Sequence, residues 1–360
     1  MPFLGFWEKL EKPIIGLAPM DGVTDAAFRY MICKYSKPSV VITEFTNVEG
    51  LARGNMRGLA AFIYSEIERP IVAQIFGVEP DSYYKAAVML SSMGFDGIDI
   101  NMGCPVSKVA AKGSGAALIR TPELAKELVR MTKKGVKDWA EGISLEKAGV
   151  HEDMIAVIKT LKSRDGVDAF PGMDLTGQST RKVIPVSIKT RIGYDTIVAE
   201  EWVKHLLEVE PANISMHGRT LKQLYMGLAN WEEIAKACKV VKASGLGTTF
   251  LGNGDVKSMD DAHEKIKNYG VDGVLIGRST FGNPYFFAGR EPTPKEGLQA
   301  AIEHSKYFEN LNHIGFQNIK KHLGWYCKGF EGAKELRIKL MQAENAEEVI
   351  ETIKAIASVS

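Results

Sequence analysis

Eight short runs rich in Val and Ile, separated by helical patterns, constrain this chain more than any other feature. The runs are Ile14–Met20, Val40–Thr46, Ile71–Gly77, Gly97–Gly103, Pro185–Gly193, Asn213–Arg219, Thr248–Val256 and Gly273–Arg278. Helical patterns such as "TDAAFRYMICKY", "PDSYYKAAVMLSSMG" and "WEEIAKACKVVKASG" lie between them. Several open on a Ser, Thr or Asp cap and close on Gly. Strand–helix alternation eight times over roughly 280 residues predicts an α/β fold, a (β/α)8 TIM barrel, whose usual size is about 250 residues. A doubly wound sheet is the alternative. It usually has fewer strands and often a G-x-G-x-x-G turn after the first, whereas here the first strand runs into "APMDGVTD".

Two segments fall outside the repeat. Residues 137–182 hold a helical stretch, "EDMIAVIKTLKSR", and a polar Gly/Pro loop. They sit on an αβ connection, which in a barrel lies on the face opposite the active site. This excursion is therefore expected to be peripheral, and its removal to spare the site. From about residue 290 the chain turns wholly helical, so residues 1–289 are read as the barrel and 290–360 as a small C-terminal all-helical domain. Its run "NIKKHLGWYCKGFEGAKELRIKL" reads either as a solvated helix pair or as a basic face for a polyanion.

A formal net charge of +1 gives no global reason to bind nucleic acid, so any RNA-binding face is a local patch. The four cysteines, Cys33, Cys104, Cys238 and Cys327, are scattered and form no C-x-x-C pair. Neither a metal site nor a disulfide framework is expected, and a reducing cytoplasm is the simplest location. No apolar run approaches membrane-spanning length and the start does not read as a signal peptide, so no membrane association is expected.

Barrel strands point alternate residues inward and carry reactive groups at their C-terminal ends. Ser187, Lys189 and Arg191 share a face, as do Ser215, His217 and Arg219. Inward cations are costly unless they meet an anion. The last two strands end in "GNGDV" and "IGRST". Barrels commonly bind phosphate there through exposed backbone N–H groups, and Arg278 adds a bidentate charge. Gln74 offers a donor and an acceptor to a heterocycle, and Met20 and Gly22 offer backbone groups beneath a flat ring. A planar ring with a phosphate tail is what FMN presents.

Taken in order, "LAPMDGVTDAAFR", "AQIFG", "GIDINMGCPVSKVAAKGSGAALIRTPE", "SIKTRIGYD", "SMHGRTLKQLYMGLANW", "GNGDV", "IGRSTFGNPYFF" and "KKHLGWYCKGFEGAKELR" resemble the tRNA-dihydrouridine synthases. The resemblance covers nearly the whole chain, the excursion being the main gap. It implies an FMN enzyme, reduced by NADPH, that reduces the C5=C6 bond of uridines in tRNA. It places cofactor contacts at Met20, Asp21, Gly22, Gln74, Lys189, His217, Asn253, Gly254, Asp255, Gly277 and Arg278, and makes Cys104 the proton donor. Asn101 would help seat the uracil. Lys108, Arg191 and, in the tail, Lys321, Lys328 and Arg337 are the candidate RNA contacts, in a protein expected to be monomeric. Leu221 stands where the family often has a basic residue. A thiol suits proton donation because its unperturbed pKa, near 8.5, keeps it mostly protonated at neutral pH. Two other readings compete: an FMN barrel acting on a free pyrimidine, as dihydroorotate or dihydropyrimidine dehydrogenases do, and a non-catalytic RNA-binding protein.

Overall fold

The computed structural model describes the chain except residues 107–109, 174–180, 225, 313 and 358–360. Its centre is a closed barrel of eight parallel strands in sequential order. These are β1 (Ile14–Leu17), β2 (Val41–Asn47), β3 (Ile71–Phe76), β4 (Gly97–Met102), β5 (Val186–Arg191), β6 (Asn213–His217), β7 (Thr249–Asn253) and β8 (Gly273–Ile276). Each expected run holds one strand. All but β2, which runs on to Asn47, stop short of the ends of their runs, and those tips belong to the loops.

The helices form the outer layer. They are α1 (Ala26–Tyr35), α2 (Val48–Ala52), α3 (Pro80–Ser92), α4 (Pro122–Ala140), α5 (Glu152–Thr160), α6 (Ala199–Leu207), α7 (Trp231–Ala243) and α8 (Met259–Tyr269). Their ends follow from local chemistry. Asp25 caps α1 by accepting from Phe28 N at 2.8 Å. Ser258 caps α8 by accepting from Asp261 N at 3.1 Å, and α8 stops at Gly270, whose φ of 68° suits a residue without a Cβ. Inside the barrel, Ile14, Val40, Ile42, Val72, Leu251 and Leu275 pack with Trp7 from the N-terminal turn.

Four further helices follow the barrel: α9 (Pro294–Leu311), α10 (Lys320–Tyr326), α11 (Ala333–Leu340) and α12 (Ala346–Ala357). They share a core with Ala27 and Met31 on the outer side of α1. Two stacked ring pairs join the same surfaces: Tyr30 with Tyr307, and Phe281 with Trp325, whose centroids are 3.8 and 4.0 Å apart.

The excursion packs on the segment that joins β2 to β3, with His151 against Gly54 in the turn after α2. Tyr64 N, just before β3, donates to Ala169 O at 3.2 Å, and Gly172 N donates to the Tyr64 hydroxyl at 3.0 Å. It is not expendable, however. Leu145, Ala148, Met154, Ile155, Ile158 and Phe170 are buried in the principal core. Each large apolar side chain of this kind contributes about 1.5–3 kcal/mol by burial, so together they rival the roughly 5–15 kcal/mol that holds a domain folded. Deleting residues 140–180 is accordingly expected to give insoluble or unfolded protein. A soluble deletion variant with a cooperative melting transition would show that these contacts are dispensable.

Candidate active site

Barrel register assembles the site. Across β3, β4 and β5, Gln74 lies beside Asp99, and Asn101 beside Lys189. Across β5, β6 and β7, Arg191 lies beside His217, and His217 beside Asn253. Period-2 alternation turns these residues inward while their neighbours Ile100, Ile188 and Met216 pack outward in the core.

A cavity of about 970 Å³ opens at this end of the barrel. Nine of the eleven cofactor candidates line it: Met20, Asp21, Lys189, His217, Asn253, Gly254, Asp255, Gly277 and Arg278. Asn101, Cys104 and Arg191 line it too. Gly22 and Gln74 do not. Gln74 lies fully buried, with its amide donating to Asp99 Oδ2 at 2.7 Å and accepting from Asn101 Nδ2 at 3.0 Å. Gly22 is exposed, with a φ of 69°. The backbone of Met20 does not face a ring either: its N–H donates to Thr24 Oγ1 at 2.9 Å, and its carbonyl accepts from Val23 N and Thr24 N.

The lining carries four cations, Lys189, Arg191, Lys257 and Arg278, against two carboxylates, Asp21 and Asp255. That balance suits an anionic ligand. Asp255 is not a free ligand. It accepts from Arg219 at 2.6 Å, from Ala229 N at 2.8 Å and from Arg278 at 3.1 Å, so it sets the two arginines in place. Gly254 has a φ of 122°, and a Cβ there would sit 2.7 Å from Ala229 Cβ and 3.0 Å from the His217 ring. Burial, reinforced by Arg191, pushes Lys189 down to about 8. Burial, Arg191 and Lys189 push His217 well below its ordinary value, so its imidazole is neutral.

Cys104 is buried, and its turn is firmly held. Asn101 Oδ1 accepts from Gly103 N at 3.0 Å and from Cys104 N at 2.8 Å. Arg191 Nε donates to Gly103 O at 2.6 Å, and its Nη1 to Thr220 O at 3.0 Å. The Asn101 oxygen thus shapes the thiol's turn, which leaves one amide N–H for a ligand. Burial raises the thiol's pKa, and Asp21 adds to it. The Val106 N–H, Arg191 and Lys189 act the other way.

The dihydrouridine synthase family model matches residues 16–159 and 177–359. The unmatched stretch falls inside the excursion. A probable tRNA-dihydrouridine synthase of Staphylococcus aureus (strain COL) is 34% identical over 353 residues, 95% of this chain and 93% of that one. Probable tRNA-dihydrouridine synthase 2 of Bacillus subtilis (strain 168) is 32% identical over 357 residues, 96% of this chain and 94% of that one. The chain belongs to the dihydrouridine synthase family.

In this dihydrouridine synthase the tail candidates lie outside the main cavity. Lys328 pairs with Glu291 at 3.0 Å. Arg337 donates to Gly324 O at 3.2 Å. Lys321 Nζ comes within 3.6 Å of where a Gly22 Cβ would stand, and it acts through space on Asp21, Asp25 and Glu44. Lys108 lies outside the described residues. Leu221 is buried, and its N–H donates to Gly193 O at 3.0 Å. The hydrophobic part of the lining was not foreseen. Phe45, Leu224, Leu228 and Phe281 line the cavity, and Phe281 stacks on Trp325 of the helical tail. Among the described residues, no group of three or more His, Cys, Asp or Glu is placed to hold a metal ion. Among them, too, no helix is long and apolar enough to cross a membrane.

Proposed function

We propose that this protein reduces the C5=C6 bond of selected uridines in tRNA to 5,6-dihydrouridine, with FMN in the main cavity and NADPH as the reductant. The observation that carries this reading is that Cys104 and the Gly-bearing ends of β7 and β8 line one cation-rich cavity. At about 970 Å³ it lies at the upper end of ordinary ligand pockets, which allows room for a flavin and a base together. Gly254 and Gly277 both line it, and without side chains they let a ligand approach their backbone. When bound, FMN supplies the hydride that reaches C6 of the uracil.

The chain's own residues do the rest. Negative charge develops on the uracil between C5 and O4 and must be quenched at C5. Cys104 holds the proton for that atom, because burial and Asp21 keep the thiol protonated at neutral pH. After transfer, the thiolate faces the Val106 N–H and the charges of Arg191 and Lys189, and solvent returns the proton. Lys189, lowered to about 8, regains favourable charge beside an anionic ligand. Neutral His217 offers a single ring N–H donor. Arg278, aligned by Asp255, meets the phosphate. Residues 290–360 and their basic groups Lys321, Lys328 and Arg337 bring the tRNA to the barrel of residues 1–289. The protein acts as a monomer in this reading. Its described cysteines are free thiols, which suits the reducing cytoplasm.

Arg278→Ala is expected to weaken flavin retention by about 1.5–3 kcal/mol, the worth of a hydrogen bond to a charged group. Asp255 keeps its bonds from Arg219 and Ala229 in that variant, so the loop stays folded. Flavin fluorescence titration of apoprotein checks this, and unchanged affinity would remove Arg278 from the phosphate site.

A further inference from the structure

A second cavity of about 320 Å³ lies next to the main one, sharing Asp21 and Phe45 as walls. It is built by the end of β2, the start of α2 and the turn that follows, at the same end of the barrel as Cys104. Its volume suits one nucleobase rather than a whole cofactor.

Most polar groups in its wall are already used. Asn47 Oδ1 accepts from Gly50 N at 2.8 Å, and its amide donates to Glu49. The Thr46 hydroxyl donates to Gly58 O at 3.2 Å. Glu44 differs. Its half-buried carboxyl lines the cavity and accepts no hydrogen bond among the described residues. Burial, with Asp25 and Asp21 adding, pushes it up to about 7, while Arg29 and Lys321 oppose. Arg57, also in the wall, is exposed, and its guanidinium has no hydrogen bond or ion pair among the described residues. Phe45 stands edge-on to Phe76, with centroids 5.1 Å apart.

Two N–H donors favour the ionised form of Glu44, and an ionised carboxylate only accepts hydrogen bonds. Guanine alone among the four RNA bases sets two N–H donors, N1 and N2, side by side on one edge. Uracil places its N–H between two carbonyls. Adenine and cytosine put a lone-pair nitrogen beside the amino group, which repels a carboxylate. Unstacked RNA bases are read in this manner, by edge hydrogen bonds and aromatic contact.

We propose that this cavity takes a second base of the same RNA, a guanine beside the target uridine, with Glu44 accepting from its N1–H and N2–H edge, Phe45 packing on the base and Arg57 meeting its phosphate. This rests on the tRNA reading above.

The test uses flavin-loaded full-length protein and unmodified tRNA transcripts. Each guanosine flanking the reduced uridine is replaced in turn by inosine, which lacks the N2 amino group. Equilibrium binding and single-turnover reduction are both measured. Inosine at one position is expected to weaken wild-type binding by roughly 10- to 100-fold, the range for a hydrogen bond to a charged group. Glu44→Gln should bind the guanosine and inosine transcripts within a few-fold of each other. Arg57→Ala should weaken both equally and keep their ratio. A wild type that tolerates inosine at every position, or a Glu44→Gln variant that keeps the full ratio, overturns the proposal. Guanosine-dependent binding through Glu44 without any dihydrouridine formed would leave this site standing and sink the catalytic reading instead.

Discussion

Cys104→Ala loses dihydrouridine formation by about 10²–10⁴-fold, the usual worth of a positioned general acid. The variant keeps FMN, keeps NADPH-driven flavin reduction and keeps tRNA binding. The reason lies in how the turn is built. Asn101 Oδ1 and Arg191 hold the backbone at Gly103 and Cys104, not the sulfur, so removing the thiol leaves the turn and the cavity wall in place. The thiol must be protonated to act. Burial raises its pKa above the ordinary thiol value, so wild-type turnover should hold through neutral pH and fall as pH climbs through the raised value. Single-turnover oxidation of the reduced enzyme by tRNA is the measurement. A Cys104→Ala rate within a few-fold of wild type would reduce the cysteine to a space-filling residue.

The second large effect is on stability. Arg29 and Glu68 form an ion pair at 2.7 Å with both side chains fully buried. Arg29 also donates to Thr24 O at 2.7 Å and to Ile63 O, while Glu68 accepts from Ser65 N at 2.8 Å. The pair therefore fastens the β1–α1 loop, which carries Met20 and Asp21, to the segment before β3. Removing one partner leaves an uncompensated buried charge, which costs about 3–5 kcal/mol. Glu68→Ala should lose that much in urea unfolding. Replacing both residues with apolar ones of similar volume should lose much less. A Glu68→Ala loss below about 1 kcal/mol would mean that the guanidinium finds other partners.

The barrel was legible because its signal is local. Eight Val/Ile runs bounded by Gly and Pro marked eight strands, and the alternation in "PVSIKTRIG" put Lys189 and Arg191 on one face. The same alternation in "GIDIN" places Asp99 beside Asn101, yet Asp99 went unnoticed as the acceptor that orients Gln74. What was not legible depends on contacts far apart in sequence. Gln74 and Asn101 were read as groups open to a ligand, but they bond each other across 27 positions. The Arg29–Glu68 pair spans 39; a lone Arg among the apolar residues of "DAAFRYMIC" was its trace. Periodicity marked "MIAVIKTL" as amphipathic without saying what it packs on, and so the excursion was taken as removable. Lys321 read as free basic surface because nothing local showed that the tail helices fold back toward Asp21, Asp25 and Glu44.

The central claim is that one cavity joins a bound flavin to a uridine of tRNA through Cys104. The most direct measurement is anaerobic single turnover: the purified protein is reduced with NADPH, then mixed with unmodified tRNA or with free uridine, and flavin absorbance and dihydrouridine are both followed. The account predicts flavin reoxidation that requires tRNA, with one dihydrouridine formed per flavin reoxidised. Reoxidation as fast with a free pyrimidine as with tRNA, or a purified protein that binds no flavin, would contradict it.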